Sequence, residues 1–73
     1  MQTPGLRLAR QRAMLTQAEL ALAAKVSRAT VARMEAGEVA RFVTIRRIAR
    51  ALRIEPAALT ATDDPSGDGR DDR

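Results

Sequence analysis

Residues 16 to 37 read TQAELALAAKVSRATVARMEAG, and the fold is decided here. Thr16 with Glu19 three residues on is the pattern in which a hydroxyl and a carboxylate each satisfy a backbone N–H of a helix's first turn. Leu20, Ala21 and Ala24 then recur at the spacing of a buried stripe, which predicts a helix over 17–24. Lys25-Val26 interrupts the run, and Ser27 can cap a second helix over 28–36. Val31 and Met34 give that helix its inward stripe, and Gly37 offers a residue able to end it in the left-handed conformation. Two helices joined by so short a break must cross at an angle.

The second helix can be resolved into faces at about 100 degrees per residue. With Val31 and Met34 inward, Ala29, Ala32, Arg33 and Ala36 turn outward, and Arg28 and Thr30 stand at the margins. The outward face is thus small side chains with two long cationic donors. Glu35 lies about 70 degrees from the centre of the buried stripe on the same wheel, too near the core to be freely solvated.

Outward from this centre the chain stays helical. Thr3 is a cap candidate for a first helix with Pro4 at its opening position, where a missing N–H does no harm. Leu6, Ala9 and Ala13 line the inner side of that helix, and it is expected to end near Met14. Phe42, Ile45, Ile48, Ala49 and Leu52 predict a fourth helix over 42–52, with no evident N-cap. Glu55-Pro56 can open a last short helix through Leu59, with Ile54 just before it. Five helices and no strand make a compact all-α domain. Arg46, Arg47, Arg50 and Arg53 fall on the outer surface of the fourth helix. Leu8 and Leu22 stand where polar residues are expected. Exposed leucines of this kind either mark a partner surface or are ordinary scatter.

Composition excludes several classes. Seventy-three residues hold one small domain. With no Cys and no His, disulfides, thiolate metal sites and imidazole catalysis are absent. The first residues carry no apolar run long enough for a signal peptide, and no segment approaches a membrane span, so a cytoplasmic protein is expected. Residues 1–60 hold 11 Lys and Arg against 4 Glu, a surplus of seven cations, whereas residues 61–73 hold 2 Arg against 5 Asp. The division is therefore a basic domain over 1–60 and an acidic tail over 61–73. The tail lacks any apolar stripe to offset the entropy of ordering, so it is expected to be disordered. The carboxylates of the domain are Glu19, Glu35, Glu38 and Glu55; Glu19 is accounted for by capping, Glu55 by helix opening and Glu35 lies near the core, which leaves no positioned acid–base pair for catalysis. The single aromatic, Phe42, is placed on a core stripe, so there is no stacking platform for single-stranded RNA.

Thr16-Gln17, Leu20-Ala21, Val26-Ser27 and Glu35-Ala36-Gly37 together resemble the Cro/repressor-type helix-turn-helix, the Xre family, over roughly residues 6 to 59. Two departures stand out. Lys25 occupies a turn position that is usually Gly, so either the backbone bears a left-handed cost or the turn differs. The loop after Gly37 is one residue shorter than usual. The resemblance implies a lambda-repressor-like domain whose helices 2 and 3 form the helix-turn-helix. It also implies a sequence-specific regulator of transcription, a repressor, with double-stranded DNA as partner.

What the resemblance implies for individual residues follows. Helix 28–36 enters the major groove, with Arg28, Ala29 and Arg33 contacting bases. Arginine can pair with guanine O6 and N7, and Ala29 can touch a thymine methyl. Gln17 holds a phosphate and braces Arg28, and Thr30, Arg41, Arg46 and Arg47 are further phosphate contacts. Glu35 pairs with Arg10 of the first helix. A homodimer reads a near-palindrome, placing two recognition helices about 34 Å apart. Leu52, Ile54, Ala58 and Leu59 are its interface candidates, although core closure alone would account for Leu52 and Leu59. The alternative is an antitoxin of the same fold that binds a toxin protein and regulates its own operon. An adaptor binding only protein is a third reading. No cofactor, metal or small-molecule ligand is expected. Residues 61–73 serve as a solubilising end, or their aspartates compete with DNA for the basic surface.

Overall fold

The computed structural model describes residues 1–60, and the acidic tail expected over 61–73 lies outside the described residues. Five helices follow in order: α1 Leu6–Arg12, α2 Gln17–Ala24, α3 Arg28–Glu35, α4 Phe42–Leu52 and α5 Pro56–Thr60, and no strand occurs among the described residues. The α2 helix packs on α3 and α4, α5 closes against α4 and α1, and α1 reaches α3. Leu6, Leu20, Val31, Ile48 and Leu59 are fully buried where these helices meet, and Met34 and Ile45 pack beside them. Each comes from one edge of its own helix, so the core arises from the 3.6-residue period.

The start of α2 is fixed as its sequence requires. Thr16 Oγ1 accepts from the Glu19 N–H at 3.0 Å, and the Thr16 N–H donates to Glu19 Oε1 at 2.8 Å. Ser27 Oγ accepts from the Thr30 N–H at 3.0 Å and so caps α3. The α1 start differs from expectation. Thr3 does not cap: its carbonyl accepts from the Leu6 N–H at 3.0 Å, and its side chain turns inward, 2% exposed, with Oγ1 unpartnered. Gly5 precedes the helix instead, and its own N–H donates to the Leu59 carbonyl at 2.9 Å. Docking this strand of chain on α5 is what rotates Thr3 into the core.

Four helices end by one device. Beyond α1, α2, α3 and α4 a residue adopts positive φ, respectively Met14 (59°), Lys25 (60°), Gly37 (101°) and Arg53 (58°). The next residue's N–H then reaches back five positions to a helix carbonyl: Leu15 to Arg10 at 3.2 Å, Val26 to Ala21 at 2.9 Å, Glu38 to Arg33 at 3.0 Å and Ile54 to Ala49 at 3.0 Å. This closure satisfies carbonyls that the helix end would leave orphaned. In three of the four, the residue after the turn is apolar, and Leu15, Val26 and Ile54 all pack against the core. Each turn thus feeds a side chain inward as it reverses the chain. Only Gly37 adopts positive φ without a Cβ penalty; Met14, Lys25 and Arg53 bear it.

Two stripe residues behave differently from their periodicity. Ala13 is exposed, because α1 closes at Arg12 and Ala13 already belongs to the turn. Phe42 is 66% exposed: it opens α4, one turn before Ile45, and lines an open cleft between α4 and α5. The α3 helix stops one residue earlier than expected, at Glu35. Of the two unexpected leucines, Leu22 is 82% exposed, whereas Leu8 is half-buried.

The fold yields two expected outcomes, both measurable by chemical denaturation. Lys25→Gly relieves a left-handed residue at a modest entropic cost and should raise stability by about 0.5–1 kcal/mol. Thr3→Val removes a buried unpaired hydroxyl at nearly constant shape and should stabilise by about 1 kcal/mol. A loss in either variant would show that the turn or the hydroxyl is used in a way its geometry does not suggest.

Candidate nucleic-acid interface

The outward face of α3 begins from its cap. Because Ser27 fixes the first turn and Val31 and Met34 are buried, the remaining positions have no freedom to rotate away from solvent. Arg28, Ala29 and Arg33 are exposed, as is Ala36 just beyond the helix, while Thr30 and Ala32 are half-buried. The face is therefore narrower than the wheel suggests, with Ala32 partly under cover. Among the described residues no carboxylate lies within 4.0 Å of Arg28 or Arg33. Both guanidinium groups are free to meet an acceptor outside the chain.

Around this face the structure gathers some of the expected phosphate contacts and separates others. Thr30, Arg33 and Arg41 line one open cleft of about 360 Å³ together with Glu38 and Thr44. The Thr30 hydroxyl is positioned by Ser27 Oγ at 2.8 Å. Arg41 is exposed immediately before α4, makes no side-chain cap bond, and has no carboxylate within 4.0 Å among the described residues. Arg46 and Arg47 are both exposed but diverge around α4. Arg46 faces α5, whereas Arg47 lies in a cleft with Lys25, Arg50 and Arg53 against the end of α2. These two do not join the Thr30–Arg41 cleft.

The loop carrying Arg41 is held by a device absent from the sequence reading. The Met1 ammonium donates to the Ala40 carbonyl at 3.0 Å, and the Ala40 N–H returns a bond to the Met1 carbonyl at 2.9 Å. Gln2 Nε2 donates to the Gly37 carbonyl at 2.8 Å. The first two residues thus staple residues 37–40 beside α3. No periodic or capping signal announces such a contact, since it joins positions more than thirty residues apart.

Beneath the face, Glu35 collects four donors. Arg10 approaches with Nε on Oε2 at 2.5 Å and Nη2 on Oε1 at 3.1 Å, and its Nη1 donates to the Leu15 carbonyl at 2.8 Å. Gln17 Nε2 donates to Glu35 Oε1 at 3.1 Å, and Arg7 Nε stands 3.5 Å from the same oxygen. The Glu35 side chain is 1% exposed. Burial pushes its acidity toward the neutral form, but the hydrogen bonds from Arg10 and Gln17, the Arg10 charge and Arg7 outweigh it, so the carboxyl titrates below its ordinary range. Donating to Glu35 in turn raises the Arg10 guanidinium, against the opposing effect of burial.

Two expectations are corrected here. Gln17 does not brace Arg28: its amide is drawn to Glu35, because the first turn of α2 lies over the last turn of α3 rather than the first. One of its two amide hydrogens remains for another acceptor. Leu59 cannot belong to an interface, since it is fully buried and closes the core. Leu52 and Ile54 are half-buried and Ala58 is exposed, and these three line an open cleft with Leu8, Ala9 and Arg12. Arg7 was missed by sequence reasoning, although its position three residues before Arg10 on one helix was an available signal.

A family model described as helix-turn-helix matches residues 6–59. Neither the curated proteins nor the solved structures compared with the chain gave a match. The matched span runs from the first residue of α1 to the last buried residue of α5, so it contains the whole core.

The Glu35 cluster makes its own predictions. Arg10→Met strands a buried carboxylate and should cost about 3 kcal/mol, while adding Glu35→Leu should recover much of the loss. Because the folded-state pKa of Glu35 is depressed, its contribution is present above the ordinary carboxylate range and is lost as pH falls through the folded value. Unfolding midpoints of the native chain should therefore drop below about pH 4.5, the unperturbed value, more steeply than those of Glu35→Gln. Equal slopes would remove the pair from the stability of the fold.

Proposed function

This chain belongs to the Cro/repressor-type (Xre) helix-turn-helix family, DNA-binding regulators of transcription whose partner is double-stranded DNA, and on that premise we propose that it is a repressor reading a near-palindromic operator as a homodimer. The observation that supports this reading is the joint exposure of Arg28, Ala29 and Arg33 on the side of α3 opposite Val31 and Met34. Ala29 is small enough to let the helix settle into a major groove, while the two arginines supply donors long enough to reach base edges.

Phosphate contacts frame the helix and fix its register without reading sequence. In this proposal Thr30 and Arg41 act from the shared cleft, Arg46 and Arg47 from the flanks of α4, and Gln17 with its remaining amide hydrogen. The positive end of α2 adds to the attraction at Gln17. One helix meets few base pairs, so specificity comes from two copies on a two-fold site. Leu52, Ile54 and Ala58, with half-buried Leu8 beside them, form the apolar surface assigned to that contact. No helix among the described residues is long and apolar enough to cross a membrane, in keeping with a cytoplasmic regulator. Leu22, 82% exposed on α2, is the observation that favours a second reading as an antitoxin with a protein partner.

Selection of bound sequences from random duplex DNA tests the proposal and should return a two-fold motif. Arg33→Ala is expected to cost about 1–3 kcal/mol and to relax preference at one position of each half-site. Arg41→Gln should instead weaken binding evenly across sequences and reduce the log-log salt slope by about one per contact. A selection that returns no motif, with Arg33→Ala binding as tightly as the native chain, would defeat sequence readout.

A further inference from the structure

Among the described residues, two of the three non-glycine positions at positive φ, Lys25 and Arg53, cap the C-termini of α2 and α4 and line one open cleft. Arg47 and Arg50 complete its rim, and Ala24 and Ala51 lie lower within it, in a space of about 570 Å³. All four cations are exposed, and none has a carboxylate within 4.0 Å among the described residues. Glycine is the unstrained residue at both caps, so each cation there is held against backbone strain. Arg47 and Arg50, three residues apart on α4, add like-charge repulsion. The two converging helix ends offset part of the charge: each carries about half a negative charge, which leaves about three of the four cations uncompensated.

This cleft lies away from the α3 face. Arg41, which shares a cleft with Arg33, precedes α4, whereas Arg53 follows it. Eleven residues at about 1.5 Å each set the ends of α4 about 16 Å apart. A phosphate is best gripped by free backbone N–H groups at a helix N-terminus. Here the cap N–H groups are spent on their own helices, Lys25 on the Leu22 carbonyl at 3.2 Å and Arg53 on the Arg50 carbonyl at 3.1 Å. Side chains alone are left to receive a ligand. Leu22, exposed three residues before Lys25, gains by burial against a protein side chain and gains nothing from a phosphate backbone.

We propose that this cleft docks an acidic segment of a partner protein, a helix whose carboxylates lie three or four residues apart and which sets an apolar side chain on Leu22. That spacing matches Arg47 and Arg50, which are about 4.5 Å apart along α4. Docking here rests on the protein-partner reading of Leu22 and adds the partner's chemistry to it. Only Arg47 is shared with the operator reading, which leaves Lys25, Arg50 and Arg53 unused.

The test uses the full chain and a synthetic helical peptide bearing three glutamates and one leucine along one face, with a counterpart in which the glutamates are glutamines. At low salt, where surface charge is least screened, the glutamate peptide should shift the amides of residues 22–26 and 50–54 and spare those of 28–33. The glutamine counterpart should bind about fivefold more weakly or worse, the range of two or more surface ion pairs. Lys25→Gly with Arg53→Gly removes two cations where glycine suits the backbone, so the fold is kept, and should weaken the glutamate peptide by a similar factor. A glutamine peptide that binds equally well would leave a protein site at Leu22 and overturn its acidic chemistry. Shifts spread alike over Arg28, Arg33 and Arg41 would reduce the effect to net charge and overturn the proposal. If the double glycine variant loses affinity for a duplex of unrelated sequence but not for the peptide, the cleft belongs to nucleic acid and the proposal falls. Binding that appears only once Asp63, Asp64, Asp68, Asp71 and Asp72 are changed to Asn would give the cleft to the chain's own acidic residues and overturn it. Absence of binding in either chain would overturn it as well.

Discussion

The buried carboxylate of Glu35 is the constraint on which the arrangement of the first three helices depends. It sits at the last turn of α3 and receives donors from α1 (Arg7 and Arg10) and from the first turn of α2 (Gln17). A charge with a 1% exposed side chain is tolerable only if its oxygens are paired. The pairing therefore permits little relative movement of the three helices. Arg10 extends the tie by also holding the Leu15 carbonyl, just ahead of the Thr16 cap. The angle between α2 and α3 is thus set at both ends: by the Lys25–Val26 turn at one and by Glu35 at the other.

This economy suits a domain with few large side chains. The buried apolar set includes three alanines and one methionine, and the only aromatic is largely outside it. Such a core supplies limited hydrophobic free energy, so the helix ends and polar ties carry a larger share of the specificity. The repeated left-handed closures serve that purpose. Each one satisfies backbone groups, reverses the chain, and in three cases delivers Leu15, Val26 or Ile54 to the core within one residue. The strain of three non-glycine residues at positive φ is offset by the burial each turn makes possible.

Much of this architecture is written in local pattern. The bounds of α2 follow from a cap and a periodicity that agree, Thr16 with Glu19 and then Leu20 with Ala24, whereas those of α4, which has no side-chain cap, follow from the periodicity of Ile45, Ile48 and Ala49 alone. The proximity of Glu35 to the core follows from the helical wheel, while its Arg10 partner was implied only by resemblance. What local pattern misses is contact between distant segments. Thr3 has the chemistry of a cap, but the bond from Gly5 to Leu59 turns it inward, and no window of sequence contains both ends of that bond. The staple of Met1 and Gln2 on residues 37–40 is illegible for the same reason. Phe42 fails differently: its periodicity is correct, yet a stripe is buried only where another helix lies tightly over it, and at Phe42 an open cleft separates α4 from α5. The partners of Gln17 depended on which turn of α3 lies beneath α2, a three-dimensional fact that spacing alone leaves open.

The distribution of the carboxylates completes the argument about the α3 face. A regulator of this family presents cations to a polyanion, and every acid near them weakens the field. Glu19 is drawn into its own capping box, and Glu35 is buried under four donors on the inner side of α3. Among the described carboxylates Glu38 alone shares the cleft with Arg33 and Arg41. Its position is dictated by the closure of α3, since its N–H completes the turn at Gly37 by bonding the Arg33 carbonyl at 3.0 Å. The backbone role needs no particular side chain, so the carboxylate is a separate choice. Sharing a cleft with two arginines proposed to meet DNA, it would lower the attraction of that cleft for a phosphate. On the proposed reading of this face, that trade would reduce sequence-independent affinity more than readout.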